Sequence, residues 1–261
     1  MLRRLASILA VLATPAAALE PELQDFYDLS RPASLEFDPT FYGLWIANEG
    51  PEVILVTLDG LELRRFSSGL SRIKAIAIDG NDLLVADSHG SFQRLGKDGA
   101  VLGDPFRLAT RFGDTEGVVV DSDGTLIVVE DEPGHILWMT PTGEITRRVN
   151  GWDLKPAMTE PRGIARDERI GRLLVVDDWE GTNSLYEFAP DGTLLATHPL
   201  IAFGRDPEGI AIRAATSTLF IAFDGGARIA AFRYTPTAPV DLGPPQTDCM
   251  FSALTLEKLP V

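Results

Sequence analysis

Cysteine is almost missing from this chain. Cys249 is the only one in 261 residues, so no disulfide can form within it. Histidine is nearly as scarce: His89, His135 and His198 stand far apart, and no Cys-x-x-Cys or His-x-x-x-His spacing offers a local zinc site. Positive charge is short as well, with 23 Lys and Arg against 38 Asp and Glu, a formal net charge of -15. Phosphate backbones and anionic lipid surfaces repel such a chain, so nucleic acid is not an expected partner. No apolar run is long enough to span a bilayer. No window holds a sustained 3.6-residue apolar period, so long helices are not expected. Absent too are the Gly-x-Ser-x-Gly elbow, the Gly-rich phosphate loop and the dinucleotide fingerprint.

The chain begins with the order of an export signal: Arg3 and Arg4, the apolar run Leu5 to Ala13, then Ala16-Ala17-Ala18. Residues 1–18 are therefore expected to be removed. Residues 19–261 remain as a single periplasmic or secreted domain, and loss of the two arginines takes the formal charge from -15 to -17.

Within residues 19–261 one plan recurs five times. Short apolar strands are expected at Leu35 to Asp38, Ala75 to Asp79, Val118 to Asp121, Ile164 to Asp167 and Ile210 to Arg213. A stronger strand follows each, at Leu44 to Ala47, Leu83 to Ala86, Leu126 to Val129, Leu173 to Val176 and Leu219 to Ala222. Alternating third strands follow in turn, as at His135 to Thr140 and Ser184 to Ala189. Asp59-Gly60, Asp98-Gly99, Thr142-Gly143 and Asp191-Gly192 read as two-residue hairpin turns before a fourth strand. The units recur every 41 to 46 residues, and four short antiparallel strands per such period describe a β-propeller blade. The expected fold is an all-β propeller of five blades, or of six if the segments near the two ends assemble one more. A β-sandwich with coincidental spacing is the alternative.

Three runs carry a family likeness: Asp87-Ser88-His89-Gly90, Asp114-Thr115-Glu116-Gly117, and the strand ending at Glu130 with His135-Ile136-Leu137 after it. With them, Ser71 to Met139 resembles the esterase-like phytase family. Glu160 to Ala165 with Leu173 to Asp177 resembles an NHL-type propeller repeat, and Asp206-Pro207-Glu208-Gly209 repeats its Glu-Gly start. The phytase-like resemblance implies a secreted propeller with phosphoester or ester hydrolysis.

First strands line the channel of a propeller, so equivalent positions form rings. Aligning the units just before the first strand gives Ala33, Lys74, Glu116, Arg162 and Glu208, of alternating charge in four of five. The ring reads as a channel-mouth ligand or metal site, or equally as a self-neutralising set of ion pairs. A second set lies where second strands end: Asn48-Glu49, Asp87-Ser88-His89, Glu130-Asp131-Glu132, Asp177-Asp178 with Glu180, and Asp224. Hard cations such as calcium favour loop carboxylates, whereas Asp87 and Asp177 read better as caps of their own turns. The run Glu130 to Glu132 needs something positive beside it. The candidate metal ligands are accordingly Glu116, Glu208, Glu130 and Asp131, for calcium or another divalent cation. His135 and His89, beside carboxylates, are candidate general bases. Lys74, Arg162 and Trp179 are candidate ligand contacts. His198 reads as structural.

Three functions stay open: a metal-dependent phosphoester or ester hydrolase; a non-catalytic propeller that binds a protein, glycan or small ligand; and a lactonase-like or lyase-like propeller with one central metal.

Overall fold

A computed structural model describes residues 19–22, 31–108, 114–225 and 227–237, with the side chains of 19–22 left undescribed. The described residues form five four-stranded antiparallel sheets arranged as a five-bladed β-propeller. In blades 1 to 4 the strands pair in chain order. The innermost strands are Ser34–Asp38, Ile73–Asp79, Thr115–Val120 and Pro161–Asp167. Blade 5 runs Arg205–Arg213, Thr218–Gly225 and Arg228–Tyr234, and takes its outer strand from Leu19–Glu22. Leu19 stands opposite Tyr234 and Glu22 opposite Ala231.

That pairing replaces the sixth blade: the N-terminal segment completes the fifth and so closes the ring. Residues 1–18, Cys249 and the strand-like stretch Phe251 to Leu259 lie outside the described residues. The only helical pieces described are two 3-10 turns, Gly151–Asp153 and Ala214–Thr216. None of the described helices is long and apolar enough to cross a membrane.

In blades 1 to 4 the outermost strand is the least buried. The second strand of blade 4, Arg172–Asp177, is buried throughout, while its fourth, Leu194–Pro199, is half-exposed. The apolar side chains gather in five clusters, one at each junction of neighbouring blades. Trp45 and Leu55 of blade 1 meet Ile76 and Val85 of blade 2, and Phe220 and Ala231 of blade 5 meet Leu35 and Ile46 of blade 1. Packing between blades, more than pairing within them, is what removes apolar surface from water.

The turns differ from the two-residue hairpins expected. At Asp59-Gly60 the Gly60 amide donates to the Thr57 carbonyl and the Thr57 amide to Leu61, with a register shift at Leu55/Val56. Gly60, at φ 87°, occupies the left-handed region, whereas Asp59 does not, so this is a three-residue loop closed by a glycine bulge. Thr142-Gly143 and Asp191-Gly192 repeat the pattern.

The glycines that follow the ring residues set how near the blades come at the channel. A Cβ on Gly117 would sit 2.7 Å from the Arg162 carbonyl oxygen, and one on Gly163 2.5 Å from that of Glu208. Glu-Gly and Arg-Gly thus place a charge beside the one residue that lets the next blade close in.

Candidate functional site

The ring expected from the repeat forms at one end of the channel. Glu116, on the innermost strand of blade 3, lies between two cations. Lys74 Nζ of blade 2 is 3.1 Å from its Oε2, and Arg162 Nη1 of blade 4 is 2.9 Å from its Oε1. Lys74 also reaches Glu49 at 3.4 Å, and Glu49 draws in Arg31 and Arg72. Ala33, the uncharged member, is buried.

Arg162 is the hub. Within 4.0 Å its guanidinium meets Glu116, Asp131 (2.6 Å), Asp178 (3.0 Å), Glu160 (3.7 Å) and Glu208 (4.0 Å). Burial opposes its charge, but Glu116, Glu208, Asp131 and Asp178 raise its pKa on balance. Five carboxylates share that guanidinium, only Glu116 having a second ion pair among the described residues, with Lys74, and burial raises the carboxyl groups of Glu116, Asp131 and Glu208. Burial, with Glu116 and Asp114 nearby, pushes Asp131 up to about 7 in spite of Arg162. Burial pushes Glu208 up to about 7 as well, against Arg162 and Lys74. Burial also raises Glu116 and Asp114.

Carboxylate oxygens converge in three groups here, each within 4.8 Å: Asp114 with Glu116 and Asp131; Asp178 with Asp206 and Glu208; and Glu160 with Asp178 and Glu180. In the first, Asp114 Oδ1 and Asp131 Oδ1 are buried and have no hydrogen-bond partner among the described residues, and in the second the same holds for Glu208 Oε2. Orphaned buried oxygens are costly unless a ligand or ion completes them. An all-carboxylate donor set fits a hard divalent cation such as calcium.

Of the expected metal ligands, Glu116 and Asp131 come together and Glu208 joins the second group. Glu130 does not. It faces its cross-strand neighbour His135, with Oε2 3.3 Å from Nδ1. The acidic run is thereby divided: Glu130 turns to His135, Asp131 to Arg162, and Glu132 to solvent. His89 Nδ1 is 3.1 Å from Ser88 Oγ, and the burial that raises the Asp114 carboxyl is only partly offset by Lys74, Arg162 and His89. Trp179 is 48% exposed, under the Arg205 guanidinium at 4.8 Å.

Asp87 caps its turn through the amides of His89 and Ser91, and Asp177 caps its own through that of Thr182 while also accepting from the Glu160 amide. Outside this end, His198 is part of a structural cluster in blade 4 around the fully buried Glu187, which also meets Arg172 and Thr237.

Asp114 and Asp206 join the site from outside the expected carboxylate sets, and Asp178 joins it from the second set. The signal was present: Asp114-x-Glu116 and Asp206-x-Glu208 place two carboxylates two residues apart at the start of an innermost strand. Asp206 is held at φ 64°, a left-handed conformation uncommon for a non-glycine residue and strained before a proline.

No family model matches the chain, and no curated protein is significantly similar to it. Solved structures are. The glutaminyl cyclase of Myxococcus xanthus superposes with a TM-score of 0.65 at 11% identity, covering 84% of this chain and 97% of that one. A catalytically inactive virginiamycin B lyase of Staphylococcus aureus, with quinupristin, gives 0.50 at 19%, covering 79% and 67%. A protein of unknown function from Bacteroides thetaiotaomicron gives 0.53 at 18%; this chain spans 58% of its length. At such identities the likeness is one of fold.

Proposed function

We propose that the protein is an exported, lyase-like or lactonase-like propeller enzyme, working at the carboxylate end of its channel on a cyclic ester with one divalent cation bound. The observation that supports this most is the convergence of Asp114, Glu116 and Asp131 with buried oxygens that lack partners. These three residues would hold the cation, which supplies Lewis-acid polarisation of a carbonyl when bound. Glu208, with a pKa near neutrality, is suited to take or give a proton at the substrate. Arg162 fixes both carboxylate groups in place, and His89 beside Asp114 and His135 on Glu130 are further proton carriers at the same end.

A lyase among the structural neighbours agrees with this reading. Phosphoester hydrolysis, which the phytase-like runs suggest, fits less well. Phosphate needs free cations, and Lys74 and Arg162 are already engaged by carboxylates.

Dihydrocoumarin and a depsipeptide lactone, offered with calcium, manganese or zinc in isotopically labelled water, test the proposal. Ring opening is expected only with metal, and Asp131→Asn is expected to abolish it. A lactonase incorporates one solvent oxygen, whereas a lyase leaves an unsaturated product without it. Opening that survives chelator and Asp131→Asn together would refute the assignment. No turnover of either ester under any metal would favour the non-catalytic binding propeller.

A further inference from the structure

The other end of the channel holds a cavity of about 710 Å³, within the usual size of small-molecule sites. The far ends of all five innermost strands line it, and it opens between the loops that lead to the second strands. Apolar side chains, Phe37, Ile78, Val119, Ala165 and Ile212 among them, supply about half of its wall, and polar groups supply the rest.

One residue breaks the pattern. Where blades 2 to 5 place Ala77, Val119, Ala165 and Ala211, blade 1 places Glu36, each opposite the matching residue of its second strand. The Glu36 side chain is half-buried and lines the cavity, and no hydrogen bond or ion pair reaches its carboxylate among the described residues. Nearby Asp38 is no help, being committed to Lys97 and Trp45 at 2.8 Å each. The cavity's other charges leave the balance negative. Asp121 is paired with Arg166 and Asp79 with Arg94, while Glu168 and Asp123 stand at the exposed rim.

A lone carboxylate beside apolar walls, in a chamber with an acidic rim, is complementary to a positive charge on a carbon body. We infer that this end of the channel is a second ligand site, taking a small amphipathic ammonium compound whose charge pairs with Glu36 and whose carbon body meets the apolar walls. It is separate from the carboxylate end in position and in residues.

The electrostatics agree. Burial, then Glu168 and Asp38, push the Glu36 carboxyl up to about 8, with only Lys97 opposing. A bound cation would bring it down again, so cation affinity rises with pH through about 8.

Calorimetric titration of the purified protein with benzyltrimethylammonium, whose charge does not titrate, tests this at pH 8.5, with benzyl alcohol as the uncharged comparator. One site is expected, and the cation should bind at least about tenfold more tightly than the alcohol. Glu36→Ala gives blade 1 the residue of blades 2, 4 and 5, so it is expected to fold with an undiminished melting temperature. It should lose cation affinity by about tenfold or more. Should it not fold, the isosteric Glu36→Gln takes its place with the same expected loss. Asp131→Asn, at the opposite end, should leave cation binding as in the wild type. Absence of binding to the wild type, equal affinity in the Glu36 variants, or loss in Asp131→Asn would overturn the inference.

Discussion

Protons and a divalent cation should compete for the carboxylate end of the channel, and stability reports the competition. Without metal, the folded protein holds protons on Asp131 and Glu208 up to about pH 7, which the unfolded chain releases near pH 4. A folded-state pKa above the unfolded one means that stability is fully present below the unfolded pKa. It falls as pH rises to the folded value. For Asp131, moved from 3.8 to about 7, the loss across that window is ~4 kcal/mol at about 1.4 kcal/mol per unit of pH. Calcium bound by Asp114, Glu116 and Asp131 should restore much of it at pH 8. A ligand at a hundred times its Kd adds about 2.7 kcal/mol. For a domain of this size that is a rise in Tm of roughly 5–10 °C. Scanning calorimetry with calcium or with chelator, at pH 5.5 and pH 8, measures the effect. The rise should be large at pH 8, small at pH 5.5 where protons occupy the oxygens, and absent in Asp131→Asn. An equal rise in Asp131→Asn, or one indifferent to pH, would refute the reasoning.

Other expectations rest on different contacts. Glu116→Gln removes the charge between Lys74 and Arg162, which should lower unfolding free energy by about 3–5 kcal/mol in a denaturant titration; a loss well under about 1 kcal/mol would mean that the ring adds little. Glu187 behaves oppositely to Asp131, since His198 and Thr237 outweigh its burial and hold its carboxyl down to about 2. The stability it contributes is present above about pH 4.5 and disappears as pH falls toward 2, so acid titrations of wild type and Glu187→Gln should converge there. Gly163→Ala drives a methyl group against the Glu208 carbonyl at 2.5 Å, and should cost about 1–3 kcal/mol in thermal melts.

Much of the architecture was legible because it repeats. The strand pattern recurs five times at near-constant spacing and the turn glycine four times, and the register that aligned Lys74, Glu116, Arg162 and Glu208 is the register of the blades. What the repeat could not give is what crosses between units. Asp178 of blade 4 meets Asp206 and Glu208 of blade 5 only because Gly163 lets those innermost strands approach. Glu130 and His135 read as parts of one acidic site, yet they face each other across the turn of a hairpin and pair there. Glu36 was hidden differently: its oddity appears only against the small apolar residues at its level in the other blades. The segment Leu19–Glu22 is four residues with a proline among them, too short for its alternation to mark it as a strand; it is one because the outer edge of Arg228–Tyr234 needs a partner.

That borrowed strand imposes an order on folding. Blades 1 to 4 are each made of consecutive strands, so each can form as soon as its own stretch of chain is available. Blade 5 cannot, since Leu19 must wait for Tyr234. Closure joins strands from opposite ends of the described chain, the kind of long-range pairing whose entropy is paid late and slowly. Until it happens, the last blade offers a bare edge and the first segment a loose strand, each a fit for the same groups on another copy. The latch that finishes the monomer is therefore also the contact through which two unfinished chains would exchange strands.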